Sequence, residues 1–336
     1  MTLLSVENLT LEFDTDEGRI TAVDDVSFEI APGEVMGLVG ESGSGKSVTA
    51  KSLMKLNPGN SVYSQRSRIT LMLEDGPIDV LSLKSARELQ VVRGGAISMI
   101  FQEPMASFAP AITIGDQMVE QLQLHRQMTK RAARDLSVEM LERVGISEAG
   151  KRFDQYAFEL SGGMRQRAMI AMALSTSPKL LIADEPTTAL DVTIQAQVID
   201  LMKDLVAEYG MGIVFITHDL SVIAQTADHV AVMYLGRMVE HGPVRDVINH
   251  PAHPYTRGLL AALPDLEHLD APLTPVPGDI PSPLERPSGC VFHTRCPIAK
   301  RGRCDVEVPA MTALEVTIAS NHSAACLALN DPHWMG

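Results

Sequence analysis

The stretch Gly40-Glu41-Ser42-Gly43-Ser44-Gly45-Lys46-Ser47 constrains this chain more than any other. Its glycines, lysine and serine fall at the spacing of a phosphate-binding loop. The context agrees: residues 34–39 form a short apolar run that reads as a buried strand. From Lys46 to Leu56 the pattern is helical, stopping before Pro58. Glycines let backbone N–H groups turn inward as a nest, and a helix N-terminus adds partial positive charge. In such a loop Lys46 reaches the β- and γ-phosphates of a nucleotide, and Ser47 offers its hydroxyl to magnesium.

The rest of the pattern is α/β. Residues 9–13, 20–23 and 26–30 read as separate strands, the first two joined by an Asp16-Glu17-Gly18 turn. Residues 67–83 resemble a two-strand excursion turning at Glu74-Asp75-Gly76. Residues 96–101 are strand-like. Between about 107 and 175 helix formers dominate, with apolar spacings of three and four in 114–124 and 130–144, which marks a helical insertion. Strands return at 180–183, 212–216 and 229–234 with helical stretches between, the alternation of a mainly parallel sheet. Past Gly242 prolines crowd into residues 264–287, an extended strap leading to a cysteine-bearing tail. The expected division is a nucleotide-binding domain over 1–245 and an extension over 246–336.

Composition narrows the partners. The formal charge is -14 and aromatics make up 4% of the chain, so neither a phosphate backbone nor stacked bases find a matching surface. Nucleic acid is therefore excluded as a partner. The N-terminus lacks the basic start and apolar core of a signal peptide, and no run of about 18 apolar residues spans a bilayer. The expectation is a protein of the cytoplasm that reaches a membrane only by docking on something embedded there.

Residues 179–185, Lys-Leu-Leu-Ile-Ala-Asp184-Glu185, form an apolar strand ending in two carboxylates. Asp184 there can hold magnesium through water, and Glu185 can polarise an attacking water as general base. A second small-residue cradle, Ser161-Gly162-Gly163, opens a helix. One nucleotide uses two such cradles only if the second comes from another molecule.

With the segment Leu160-Ser-Gly-Gly-Met-Arg-Gln-Arg167, the loop and Asp184-Glu185, the chain resembles the ATP-binding cassette ATPases over residues 3 to about 245. In that family two cassettes sandwich two ATPs, each loop facing the partner's signature. The resemblance implies further roles. Gln102 senses the γ-phosphate and magnesium, Ala189-Leu-Asp191 crosses the dimer interface, His218 contacts the γ-phosphate, and Phe13 stacks on adenine. The implied ligands are ATP and Mg2+, the latter held by Ser47, Gln102 and Asp184.

Within the family, several stretches resemble the oligopeptide, dipeptide and nickel importers. They include residues 99–108, 185–197 and 253–263, and the tail Gly289-Cys-Val-Phe-His-Thr-Arg-Cys-Pro297. The resemblance is to the first of two ATPase subunits. It implies a second ATPase subunit in a heterodimer, two membrane permease subunits, an extracytoplasmic solute-binding protein, and a peripheral place on the cytoplasmic face of the inner membrane.

The four cysteines, Cys290, Cys296, Cys304 and Cys326, all lie in the last fifty residues. A reducing cytoplasm disfavours disulfides, and the spacing does not match the tight pairs of a zinc ribbon. Four thiolates on an irregular loop suit a 4Fe-4S iron–sulfur cluster, which members of this branch carry. Zinc and free thiols are the alternatives. His293 and His322 are possible substitute ligands but are expected to be solvated.

Overall fold

The computed structural model describes residues 2–186, 192–263, 276–314, 321–331 and 334. Contacts divide the chain into two units: Met1–Leu4, Ile30–Glu34 and Thr70–Ile216 in one, and Ser5–Glu29, Val35–Ile69 and Thr217–Gly336 in the other.

The first unit holds parallel strands Ile97–Ile100, Leu180–Asp184 and, but for its last residue, Gly212–Thr217. The register runs Ile97 to Leu180 and Asp184 to Ile216. These strands are buried along their whole length, which is why they read as unbroken apolar runs rather than alternating ones. The helical stretch supplies Ile114–His125, Lys130–Arg143, Ala149–Phe153 and Gly162–Ser175. Three of these start on a side-chain cap: Thr113, Thr129 and Ser161 accept from the backbone N–H three residues on. Ile114, Met118, Val119 and Leu122 form the buried stripe of the first. Gly115 lets that helix approach Phe153, whose ring would lie 2.2 Å from any added Cβ.

The second unit is built on the long strands Leu4–Thr15 and Gly18–Ile30, apart from Leu4 and Ile30 themselves. The sequence pattern divides the latter at Asp24-Asp25, but it is one strand. Asp25 adopts φ 57, and its N–H bonds the Thr10 hydroxyl at 3.0 Å, so the chain kinks without leaving the sheet. Strand Val35–Val39 lies parallel to His229–Tyr234, which is followed antiparallel by Arg237–Pro243. In the tail, Ser323 and Ala324 pair with His241 and Glu240 of that last strand.

The helix after the loop runs only over Lys46–Ser52, shorter than its pattern. Lys55 takes a left-handed φ of 52, and the Leu56 N–H returns to the Lys51 carbonyl, which ends the helix in a tight turn.

Candidate functional site

The second unit carries the phosphate loop. Gly43 and Gly45 have φ of 78 and 98, conformations an L side chain rarely takes. At Gly45 the crowding is absolute: an added Cβ would meet the Ala22 carbonyl oxygen at 2.6 Å. Lys46 is buried, and its ammonium donates to the carbonyls of Gly40 (2.7 Å) and Glu41 (2.9 Å) and to the Ser44 hydroxyl (3.3 Å). A buried cation beside a glycine-shaped backbone, at a helix start opened by Gly45, fits a polyphosphate. Ser42 and Gly43 are exposed at the tip, and Ser47 lies half-buried one residue into the helix.

His218 follows strand Gly212–Thr217 directly and is exposed. Phe13 is half-buried on strand Leu4–Thr15, opposite Ser61 in the register. A half-buried ring has a face to offer a base, as the adenine role requires.

The first unit carries the carboxylates. Asp184 ends its strand buried, at 4% exposure. Glu185 then turns sharply: its φ is 46, and its N–H still bonds the Ile216 carbonyl at 2.9 Å. A left-handed non-glycine residue costs about 1–2 kcal/mol, and the strand bond holds it there. The turn brings Glu185 to Gln102, whose side-chain amide donates to Oε2 at 3.0 Å. Ser161 caps helix Gly162–Ser175, accepting from the Met164 N–H at 3.3 Å, and Ser161 and Gly162 are exposed. Asp191 lies outside the described residues.

Magnesium takes oxygen donors, and each unit presents some of that kind: the Ser47 hydroxyl in the second, and the Asp184 carboxylate and the Gln102 side-chain carbonyl in the first.

The iron–sulfur expectation is overturned. Cys290, Cys296, Cys304 and Cys326 do line one apolar cavity, with His253, Phe292 and others, but it measures about 20 Å³. That is room for little more than a water molecule. Burial pushes the Cys290 and Cys296 thiols up to about 11, so they hold their protons rather than present thiolates. Among the described residues, no group of three or more His, Cys, Asp or Glu is arranged to hold a metal ion. The 4Fe-4S cluster and the zinc alternative both fall, and the cysteines are free thiols. His322 also departs from expectation: it is 2% exposed, and its Nε2 lies 2.8 Å from the buried Glu240 carboxylate.

Three residues were not visible as site residues in the sequence. Arg295 forms a two-pronged ion pair with Glu41 of the phosphate loop, at 2.7 and 3.2 Å. The Tyr255 hydroxyl accepts from the Glu41 N–H at 2.8 Å. Buried Gln166 donates from the signature helix to the Pro186 carbonyl, next to Glu185. Only the last had a local signal, a polar residue on the inner face of an otherwise apolar helix.

Comparison with known proteins shows the family. Residues 23–188 match the ABC transporter family, and residues 239–304 match the oligopeptide/dipeptide transporter C-terminal region. The chain is 46% identical over 331 residues to a putative peptide import ATP-binding protein of Brucella abortus (strain 2308), covering 97% of this chain and 96% of that one. A second relative carries the same description in Brucella melitensis biotype 1. It is 48% identical over 298 residues, covering 89% of this chain and 88% of that one. Among solved structures, a dimeric post-hydrolysis ATP-binding cassette bound to ADP and Pi matches with a TM-score of 0.63 and 26% identity, covering 72% of this chain and 99% of that one. The cbiO1 subunit from Clostridium perfringens, part of an ABC transporter complex, matches with a TM-score of 0.60 and 27% identity, over 74% of this chain and 91% of that one. The chain belongs to the ABC transporter family of ATP-hydrolysing subunits, in the group that carries the oligopeptide/dipeptide transporter C-terminal region.

Proposed function

We propose that this ATPase energises uptake of di- and oligopeptides, or of related small solutes, through two separate membrane permease subunits. A second ATPase subunit completes the pair, and an extracytoplasmic solute-binding protein delivers the cargo. Similarity to peptide import proteins over nearly the whole chain, tail included, is the observation that carries this reading. The division into a nucleotide-binding domain over 1–245 and an extension over 246–336 is part of the same reading, and separate matches over 23–188 and 239–304 support it.

Each functional residue has a part in the chemistry. Lys46 and the N–H groups of the glycine loop bind the phosphates. Phe13 offers a ring to adenine, and His218 a donor to the γ-phosphate. Glu185 takes a proton from the attacking water, and Gln102 orients its carboxylate through the amide bond. Ser161, Gly162 and Gly163 belong to the cradle that closes over a partner's ATP, and Asp191 to the loop between the two subunits.

Permease docking suits the exposed apolar side chains of the first unit. Phe101, Met105, Ile112, Tyr156 and Phe158 all stand exposed, and the Tyr156 and Phe158 rings stack at 5.4 Å. Among the described residues no helix is long and apolar enough to cross a membrane. On the peptide-importer reading the chain takes a peripheral place beneath the permeases at the inner face.

The test is uptake in cells whose only copy carries Glu185→Gln. Dipeptide uptake should stop while uptake of free amino acids continues. Unchanged dipeptide uptake would remove the peptide reading.

A further inference from the structure

Glu41 poses a problem for a loop that binds ATP. It sits one residue into the phosphate cradle, and a carboxylate there repels a polyphosphate. The second unit answers this with residues from the far end of the chain. Arg295 grips both oxygens of Glu41, at 2.7 and 3.2 Å, and its side chain is only 4% exposed.

The grip is itself built in. The Arg295 Nε donates to the Pro277 carbonyl at 2.9 Å and an Nη to the Val276 carbonyl at 3.2 Å. Its guanidinium lies 5.8 Å from the Tyr234 ring centroid. Tyr234, Tyr255 and Phe292 pack against one another at 4.8 to 5.3 Å between centroids, which fixes the frame on which Arg295 stands. From that frame the Tyr255 hydroxyl holds the Glu41 N–H at 2.8 Å. Charge and backbone of one loop residue are thus both fixed from the C-terminal extension.

We infer that Arg295 is a positioning residue for ATP: it neutralises and withdraws Glu41 so that the loop accepts phosphate, which makes the transporter C-terminal region part of the nucleotide site. This rests on the loop being the ATP site. A two-pronged pair on a buried arginine with backbone carbonyls behind it is not the weak surface kind. Burial opposes the charge on Arg295, and the bonds to Glu41 and Tyr234 more than restore it.

The test is titration of the full chain with a fluorescent ATP analogue and magnesium. Arg295→Met, which keeps the aliphatic volume, should weaken binding about tenfold at low salt, and less at high salt because the exposed repulsion is screened. Adding Glu41→Gln to Arg295→Met should restore most of the affinity, since the unpaired carboxylate is then gone. Arg303→Ala, which breaks the tail's pair with Asp331, should leave binding unchanged. A purely structural role for Arg295 predicts no rescue by Glu41→Gln. Wild-type affinity in Arg295→Met, or an undiminished loss in the double variant, would overturn the inference. If Arg295→Met does not fold, Arg295→Lys gives the same comparison, with a smaller loss and the same rescue. A wild-type chain that binds no nucleotide would instead overturn the reading of the loop.

Discussion

The side-chain amide of Gln102 donates to Glu185 at 3.0 Å, across 83 residues of sequence and within one structural unit. Gln102 lies two residues past strand Ile97–Ile100, and Glu185 directly follows Leu180–Asp184, its parallel neighbour. Adjacent strand ends thus bring this amide and this carboxylate to each other. Glu185 meets Gln102 only because its backbone enters the left-handed region, at φ 46.

Glu185→Gln keeps the shape and removes the base. Nucleotide binding should stay within about twofold, while ATP turnover in the assembled transporter falls by about 10²- to 10⁴-fold, the usual range for a general base. Gln102→Ala should lower kcat by a smaller factor with little change in KM. Phosphate release separates the outcomes, and residual wild-type turnover in a pair of Glu185→Gln subunits would remove Glu185 from its role.

Two loop glycines should respond differently to alanine. At Gly43 nothing lies within 4 Å of an added Cβ, so only the φ of 78 is strained, at about 1–2 kcal/mol. At Gly45 the Ala22 carbonyl and the Gly236 backbone stand in the way as well. Overpacking adds about 1–3 kcal/mol, and Gly45→Ala should destabilise by about 2–5 kcal/mol in total. Urea unfolding of both variants checks the order. Equal midpoints would mean that the close approach at Gly45 relaxes freely.

His253 gives the second unit an acid limit. Burial lowers it to about 4, with Glu240 opposing the shift and Arg257 adding to it. Its Nδ1 accepts from the Tyr255 N–H at 3.1 Å, a bond the protonated ring cannot make. Because the unfolded chain binds this proton first, stability is full above about pH 6.5 and lost as pH falls toward 4. The loss is on the order of 3 kcal/mol. His253→Asn keeps an acceptor at the helix start and should flatten that slope. The sole tryptophan, Trp334, reports the transition by fluorescence.

The exposed rings near the signature should matter to the complex and not to the isolated chain. Phe158 is 61% exposed, so Phe158→Asp should change stability by no more than about 0.5 kcal/mol. Nucleotide affinity should be equal to wild type. ATPase stimulation by permeases should fall several-fold, measured on the chain reconstituted with them in vesicles. Full stimulation would place the docking surface elsewhere.

The sequence by itself determined whatever depends on neighbours along the chain. The loop Gly40–Ser47, the strand ending in Asp184-Glu185 and the capped Ser161-Gly162-Gly163 turn are local chemistry, and each stands where its spacing predicted. Buried parallel strands were legible for the same reason, as short apolar runs. Tertiary structure decided the rest. Glu41 and Arg295 lie 254 positions apart, and Glu240 and His322 82 apart, so no window of sequence contains either pair. The cysteines show the opposite error. Their number and crowding in the tail suggested a metal, whereas the fold closes a cavity of about 20 Å³ among them and burial pushes the Cys290 and Cys296 thiols up to about 11. Spacing fixes which groups can meet, but the volume left when the core closes, and the desolvation that comes with it, decide which charge state they keep.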